Sequence, residues 1–289
     1  MKLFCVSLTL LCTACASHIG QPPNIHQPAA VETRYDVRRD ISYTPADWPQ
    51  PLLADVYVPE GKGPFPAVLV IHGGSWSSGD REQVQSIAER VAERGYVVMN
   101  VTYRLVPAYR FPAPVYDLQQ AVRWLRAHAA EYQVDAAHIG AFGYSAGAHL
   151  AAMLGTISAG DVLDKPYGGK ETRIQAVVAG GTPSDLRKFP GGTLVPAFLN
   201  TTLQQKPELY ALASPITHIS KDDPPFFLYH GGLDTLVPVD HAEDMKTALD
   251  AAGIPAELYI LHGREHVTAF LTDWGAVNAA LDFLDRTLR

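Results

Sequence analysis

The chain alternates short, unbroken apolar runs with longer segments in which apolar positions recur at helical spacing. Runs without polar interruption are typical of parallel strands buried on both faces of a sheet. They occupy residues 67–71, 96–101, 139–144, 174–179, 226–230 and 256–261. Helical spacing predicts helices over residues 80–94, 117–130, 146–156 and 239–252, and a closing helix that ends near residue 288. This alternation predicts an α/β fold with a mostly parallel central sheet and helices on both faces.

Two stretches depart from this regular alternation. Residues 35–43 and 53–58 alternate polar and apolar side chains, and Trp48-Pro49-Gln50-Pro51 separates them, which predicts an antiparallel N-terminal edge pair. Residues 182–214 combine prolines, glycines and short apolar clusters. This stretch is longer than an ordinary connection, so we expect a short lid-like insertion that covers a pocket.

The first residues have the layout of an export signal. Lys2 precedes an apolar run over residues 3–11 and then small residues, which predicts a signal peptide over residues 1–16. Residues 17–34 are polar and contain prolines without a hydrophobic period, so we expect a flexible tether that spans roughly 25 Å. The catalytic domain is then expected over residues 35–289.

The signal segment has two possible fates. Ala14 and Ala16 form a small pair for cleavage after Ala16, whereas Cys15 and the residues before it resemble a bacterial lipoprotein signal, in which the cysteine is lipidated. Cys12 stands where such signals usually have an aliphatic residue. We favour lipidation of Cys15, which predicts a protein exported from a bacterial cytoplasm, either periplasmic or attached to a membrane through its N-terminus.

Composition narrows the classes of function. The 289 residues are 47% hydrophobic and carry a formal net charge of -7, and no local cluster of Lys and Arg offsets it. This balance argues against a nucleic-acid partner. All 3 cysteines lie in the signal segment and the histidines lack metal-ligand spacing, so we expect no disulfide, metal or organic cofactor in the folded domain. The oligomeric state stays open.

The apolar run that starts at Ile139 passes through Gly143-Tyr144-Ser145-Ala146-Gly147 into a helix of small residues. A Gly-x-Ser-x-Gly segment between a strand and a helix is typical of a nucleophile elbow, a sharp turn that exposes the serine hydroxyl. We therefore predict Ser145 as the nucleophile. The N–H of Ala146, at the helix N-terminus, is expected to donate to an oxyanion. Tyr144 is a candidate substrate contact.

A second motif, His72-Gly73-Gly74-Ser75-Trp76, follows the predicted strand at residues 67–71. Consecutive glycines allow backbone N–H groups to turn toward an anion, and this position in the chain is where an α/β hydrolase supplies the rest of its oxyanion hole. We predict Gly73 and Gly74 as donors. Trp76 is a candidate substrate contact at the mouth of the pocket.

The acid and the base are expected in the loops that follow the last two predicted strands, since that completes the order serine, acid, histidine. Asp234 is suited to accept a hydrogen bond from an imidazole and fix its tautomer. His266 lies at the apex of the final loop, before the last helix. The residues alone leave rivals on the neighbouring helix and at the strand end, namely Asp240, Asp244 and His262.

Three motifs in this order resemble the α/β-hydrolase carboxylesterases, in particular the bacterial bifunctional feruloyl-esterase-like (BD-FAE) domains and the hormone-sensitive-lipase-type esterases. They are His72-Gly73-Gly74, then Tyr103-Arg104-Leu105 with Phe111-Pro112-Ala113-Pro114 and Asp117, then the run from Gly143 to Leu150. The resemblance extends from the region of Tyr35 to the C-terminus and implies an α/β-hydrolase fold. It also implies the acid at Asp234, within His-Gly-x-x-Asp-x-x-Val-Pro, and favours His266 as the base.

Two positions depart from the pattern of the related esterases. Ser75 stands where the hormone-sensitive-lipase branch often has a third glycine, which favours the feruloyl-esterase-like side. Val267 stands where related esterases often have glycine, and this keeps His262 open as the base. We assign Arg104 and Asp117 a structural role as an ion pair or loop clamp, because Asp117 precedes the serine in the chain.

Together these residues predict a serine hydrolase that cleaves small-molecule carboxylic esters with short-chain or aromatic acyl groups through an acyl-enzyme. An amide hydrolase, such as an arylformamidase or a peptidase, would use the same machinery. A non-enzymatic surface binding protein on the same fold would be expected to lack part of the triad or of the oxyanion loop.

Overall fold

The computed structural model describes residues 15–22, 32–165 and 167–289, and its centre is one twisted β-sheet. The strands are β1 (Ala16–Ile19), β2 (Tyr35–Ser42), β3 (Leu53–Pro59), β4 (Phe65–Ile71), β5 (Val97–Val101), β6 (Val134–Tyr144), β7 (Ala176–Gly180), β8 (Phe226–Gly231) and β9 (Ala256–Leu261). They form a 9-stranded sheet in the order β1-β9-β8-β7-β6-β4-β5-β3-β2.

The helices lie between the strands. They are α1 (Gln85–Glu93), α2 (Ala113–Ala127), α3 (Ala129–Tyr132), α4 (Ala146–Thr156), α5 (Leu194–Leu199), α6 (Pro207–Leu212), α7 (Asp240–Ala251), α8 (His266–Leu271) and α9 (Trp274–Leu288), and short 3-10 turns occur at residues 81–84, 162–164, 170–172, 186–188 and 215–217. The insertion at residues 182–214 therefore contains α5 and α6. Within the described ranges, no helix has both the length and the apolar composition needed to cross a membrane.

The strand directions confirm the predicted α/β-hydrolase architecture. Strands β5, β4, β6, β7, β8 and β9 are parallel to their neighbours in that order. Strands β2 and β3 pair antiparallel, and β3 continues antiparallel onto β5. The parallel centre places the loops that follow β4, β6, β8 and β9 at one edge of the sheet, which we call the carboxyl edge.

Side chains of the central strands alternate between two hydrophobic cores, one on each face of the sheet. In β4, Ala67, Leu69 and Ile71 belong to one core, whereas Val68 and Val70 belong to the other. Helices α2, α4 and α7 cover the first face, and α1 and α9 cover the second. Burial on both faces explains why these strands have unbroken apolar sequences instead of alternating ones.

The N-terminal segment differs from the expected tether. Residues 17–19, assigned to the tether from sequence, belong to β1, which pairs antiparallel with β9 and sets Ala16 opposite Leu261. The His18 ring packs against Phe227 and Tyr259. Backbone pairing and this ring contact hold a short polar strand that has no hydrophobic period of its own. The remaining signal and tether positions, residues 1–14 and 23–31, lie outside the described residues.

Candidate active site

Ser145 occupies a sharp turn between the end of β6 and the start of α4. Its backbone has φ 55° and ψ -121°, a conformation that costs energy for a residue with a side chain and that recurs at functional sites. A Cβ added to Gly143 would overlap the backbone of Gly147, and one added to Gly147 would overlap the carbonyl of Ile71. The two glycines are therefore required because strand and helix pass in backbone contact, as the sequence predicts.

His266 and Asp234 meet Ser145 at the carboxyl edge. Nε2 of His266 lies 2.9 Å from Oγ of Ser145, and Nδ1 of the same ring lies 2.6 Å from Oδ2 of Asp234. His266 is the first residue of α8, and Asp234 lies in the loop after β8. The side chains form one hydrogen-bonded line from carboxylate through imidazole to hydroxyl, with both ionisable residues at least nine-tenths buried.

The rival residues lie elsewhere. Nε2 of His262 is 2.7 Å from Oγ of Ser17, at the outer edge of the sheet. Asp240 and Asp244 both pair with Nζ of Lys188, at 2.9 and 2.6 Å. Neither carboxylate is bonded to an imidazole in this arrangement. The structure thus unites the favoured residues and leaves the rivals on the surface.

Asp234 is held as an ionised carboxylate. Its Oδ1 accepts the backbone N–H groups of Leu236 at 3.0 Å and Val237 at 2.8 Å. Burial by itself would raise the pKa of Asp234, but hydrogen bonds from His230, His266 and the N–H of Val237 bring the pKa well below its usual value. A carboxylate fixed this way accepts Nδ1–H of His266, which leaves Nε2 free to accept the hydroxyl proton of Ser145.

The loop after β4 lies against the nucleophile. A Cβ added to Gly73 would stand 3.4 Å from Cβ of Ser145 and 3.1 Å from the carbonyl oxygen of Tyr144. The hydroxyl of Tyr103 donates to the carbonyl oxygens of His72 and Gly73, at 3.0 and 3.1 Å. Because a trans peptide directs its N–H opposite to its C=O, the N–H groups of Gly73 and Gly74 point away from Tyr103. The N–H of Ala146 lies in the first turn of α4, where no intrahelical acceptor exists.

His72 supports this loop and does not touch the hydroxyl of Ser145. Its ring stacks on Tyr103 with centroids 4.3 Å apart, and Nδ1 donates to the carbonyl of Gly73 at 2.8 Å. Burial lowers the pKa of His72 to about 4, so the ring is neutral at physiological pH.

A mostly apolar cavity of about 230 Å³ opens beside Ser145. Trp76 and Leu236 form parts of its wall, and the insertion supplies Phe189 and residues 191–195. Trp76 therefore lies where the sequence analysis placed it. Its ring stacks on Phe198 of α5 with centroids 4.4 Å apart, which joins the oxyanion loop to the insertion.

Tyr144 lies in a different place from the one predicted. It is 4% exposed, it is absent from the cavity wall, and its hydroxyl donates to the carbonyl oxygen of His266 at 2.6 Å. Successive residues of β6 face opposite cores, and the ring of Tyr144 points to the side of the sheet that carries α8. Tyr144 therefore packs against His266 on the side away from the cavity.

Three further residues close to Ser145, Asp234 and His266 were not predicted from the sequence as part of the site. A Cβ on Gly181 would stand 2.9 Å from Cε1 of His266, so this glycine leaves room for the imidazole. Nε2 of His230 lies 3.4 Å from Oδ2 of Asp234. His149, on α4, is buried, accepts from Nε1 of Trp76 at 3.2 Å and donates to the carbonyl of Ala213 at 2.7 Å. The available signals were the pair Gly180-Gly181 at the end of β7 and His230 just before the last residue of β8.

Arg104 and Asp117 form the predicted structural ion pair. Nε of Arg104 lies 2.7 Å from Oδ1 of Asp117, and Nε1 of Trp48 donates to the same oxygen at 2.8 Å. Burial raises the pKa of Asp117, although Arg104 opposes this rise. In the part of the chain that the structure describes, no group of three or more His, Cys, Asp and Glu could hold a metal ion.

The sequence is similar to a known protein family and to proteins named as esterases. The sequence profile of the BD-FAE family matches residues 54–249. Esterase LipC of Mycobacterium tuberculosis is 32% identical over 231 residues, which cover 75% of this chain and 56% of LipC. Esterase LipQ of the same organism is 30% identical over 277 residues, which cover 91% of this chain and 64% of LipQ. The chain thus spans about half to two thirds of the length of these relatives.

Solved structures share the fold over nearly the whole chain. Thermogutta terrifontis esterase 2, in a form phosphonylated by sarin, superposes with a TM-score of 0.73 at 26% identity. The superposition covers 91% of this chain and 98% of that one.

Proposed function

The chain belongs to the BD-FAE family, and from that premise we propose that it is a carboxylic ester hydrolase whose nucleophile is Ser145. The observation that carries the proposal is the hydrogen-bonded line from Asp234 through His266 to Ser145, with distances of 2.6 and 2.9 Å. Relatives named as esterases support the reaction class.

In the proposed reaction, Nε2 of His266 takes the proton of Ser145 as Oγ attacks the ester carbonyl carbon. The N–H groups of Gly73, Gly74 and Ala146 donate to the oxyanion that forms. The bond to the alcohol oxygen then breaks, and His266 gives the proton to the leaving alcohol. Water repeats the sequence on the acyl-enzyme, releasing the carboxylic acid and restoring Ser145.

The cavity favours substrates with a short-chain or aromatic acyl group. Its wall is mostly apolar and its volume is about 230 Å³. A cavity of about 150 Å³ is enough to bind benzene, so one aromatic ring or a short aliphatic chain fits. No charged side chain belongs to this wall, which favours uncharged groups beside the scissile bond.

Paired histidine variants test the proposal. We expect His266→Ala to abolish measurable turnover of p-nitrophenyl acetate and the matched variant His262→Ala to retain it, since His262 is bonded to Ser17. Ser145→Ala should lower turnover by about six orders of magnitude.

The ester, a formamide and a peptide are assayed side by side. Faster hydrolysis of an amide would replace the esterase assignment with an amidase, and turnover that survives Ser145→Ala would remove the nucleophile.

A further inference from the structure

The N-terminal strand brings Cys15 to the edge of the sheet that carries the active site. Strand β1 runs antiparallel to β9, so Ala16 lies opposite Leu261, the last residue of β9. The N–H of His262 donates to the carbonyl oxygen of Cys15 at 3.1 Å. Cys15 is exposed and precedes the sheet directly. The predicted lipid attachment point thus lies beside the loop that leads to His266.

This attachment point is held rigidly to the domain. Besides the backbone ladder, Oγ of Ser17 bonds Nε2 of His262 at 2.7 Å, and Nε2 of His18 bonds Oε2 of Glu257 at 2.8 Å. A lipid on Cys15 would therefore have no free tether between itself and the folded domain. The orientation of the domain on a membrane would follow from the position of β1.

Exposed apolar side chains gather at the same edge. Five of the large exposed hydrophobic residues follow β7, β8 and β9 in the chain, and we call this set the apolar rim: Leu194, Leu233, Leu236, Val267 and Leu271. Trp274 is also exposed, but the guanidinium of Arg90 lies over its ring, 4.6 Å from the centroid, so it is not part of this set. Leu194 and Leu236 also line the cavity beside Ser145. Val267 and Leu271 are four residues apart on α8 and so share one helix face. A soluble surface rarely gathers exposed apolar side chains in one patch without a binding partner.

A groove of about 830 Å³ lies between Cys15 and the segment that joins α8 to α9. Its wall includes Cys15, Thr272 and Gly275, and the latter two residues flank Leu271 and Trp274 in the chain. Arg264 lies on the same wall and is exposed. An arginine at the boundary of an apolar surface can keep its charged head among lipid headgroups while its stem lies along the apolar surface.

We propose that the apolar rim rests on a phospholipid membrane when Cys15 is lipidated, so that the cavity beside Ser145 opens toward the lipid. The occupant is the bilayer surface, because the attachment point, the apolar side chains and the exposed arginine share one edge. The consequence for substrate rests on the proposed esterase function: esters that partition into the membrane would reach Ser145 directly.

Depth measurements on the full chain test the orientation. The processed protein is purified from membranes and placed in vesicles of phosphatidylethanolamine and phosphatidylglycerol. An environment-sensitive dye is attached at Leu271→Cys or, as the matched control, at Val162→Cys, two sites that are 65% and 63% exposed. We expect a blue shift and quenching by a lipid-phase quencher at position 271 and neither at position 162. Equal quenching at both positions, or none at 271, would overturn the proposal.

A second arm separates this proposal from the esterase assignment. Cells are fed labelled palmitate, and we expect incorporation into the wild type but not into Cys15→Ser, which should retain turnover of p-nitrophenyl acetate. Leu271→Glu should lower turnover of the acetate ester of a long-chain alcohol, held in vesicles, at least several-fold and leave turnover of soluble p-nitrophenyl acetate unaffected, whereas Val162→Glu should change neither. Absence of palmitate in the wild type would sink the membrane proposal alone. Absence of all ester turnover would contradict the esterase proposal. The depth measurement does not depend on turnover, so it would still test the membrane proposal.

Discussion

The hydroxyl of Tyr144 donates a 2.6 Å hydrogen bond to the carbonyl oxygen of His266. Tyr144, the residue before Ser145, therefore holds the backbone of His266. The ring of Tyr144 also packs beside the imidazole, with centroids 5.2 Å apart. Strand β6, which ends at Tyr144, thus positions both Ser145 and His266, the partners of the proposed proton transfer.

Replacing Tyr144 with phenylalanine is expected to slow the reaction more than it weakens substrate binding. The change leaves a buried carbonyl without its donor, and loosening of α8 should lower kcat about tenfold with little change in KM. Tyr43→Phe is the matched control, because the hydroxyl of the buried Tyr43 also donates to a backbone carbonyl at 2.6 Å, that of Thr102. Steady-state kinetics give kcat and KM for both variants and test this expectation. An equal fall in kcat for both would mean that Tyr144 acts only through general stability.

Asp117 and Asp234, two of the buried aspartates, should separate into structural and catalytic roles. Asp117→Ala leaves the guanidinium of Arg104 buried and unpaired, so we expect the free energy of unfolding to fall by about 3–5 kcal/mol. Asp234→Asn keeps the shape of the side chain but destabilises the required tautomer of His266, so kcat should fall by about 10⁴ while the fold is retained. Urea unfolding and turnover are measured on both. A normal kcat for Asp234→Asn would remove Asp234 from the triad.

Ser75 is expected to be a site of backbone strain. Its φ is 53°, between Gly74 at 98° and Trp76 at 59°. Glycine adopts this conformation without the cost of about 1–2 kcal/mol that a side chain brings, which stabilises the folded state. Glycine also gives the unfolded chain more conformational freedom, which offsets about 0.5–1 kcal/mol of this stabilisation. Ser75→Gly should therefore raise the free energy of unfolding slightly, by about 0.5–1 kcal/mol. Ser77→Gly, at an ordinary φ, should lower it, and a gain in both would contradict the strain.

Stability is expected to fall with acid because of buried neutral histidines. Burial lowers the pKa of His72, His149 and His241 to about 4 in the folded protein. The unfolded chain, with a histidine pKa of about 6.5, binds more protons between pH 6.5 and pH 4, so stability is lost as the pH falls through this window. The expected loss between pH 7 and pH 5 is on the order of 2 kcal/mol per histidine.

His149 offers the cleanest test of this pH dependence. Nδ1 accepts from Trp76 and Nε2 donates to Ala213, so a second ring proton would face a donor. His149→Gln should lower stability at pH 7 and reduce the further loss on going to pH 5. His138→Gln, at an exposed histidine paired with Asp135, serves as the control and should follow the wild type. An unchanged acid loss in His149→Gln would contradict the assignment.

The central sheet and the positions of Ser145, Asp234 and His266 at one edge of it could be predicted because their signals are local. The buried strands have nearly continuous apolar runs, Ser145 and Asp234 lie in the turns that follow β6 and β8, and His266 begins the helix that follows β9. The pairing of β1 with β9 could not be predicted, because β1 is a 4-residue polar strand held by contacts with residues more than 230 positions away. The side on which Tyr144 lies was hidden for another reason: β6 is buried on both faces, so its sequence does not show which residues face the cavity.

The most direct test of the account is to locate the nucleophile covalently. The sarin-treated form of the Thermogutta terrifontis esterase suggests the reagent class, a reactive organophosphonate. The protein is incubated with a fluorophosphonate and the adduct is mapped by peptide mass spectrometry, with His266→Ala and Asp234→Asn treated in parallel. We expect one adduct, on Ser145, formed rapidly in the wild type and slowly in both variants. An adduct on another residue, or full ester turnover in a protein that carries the adduct on Ser145, would contradict the account.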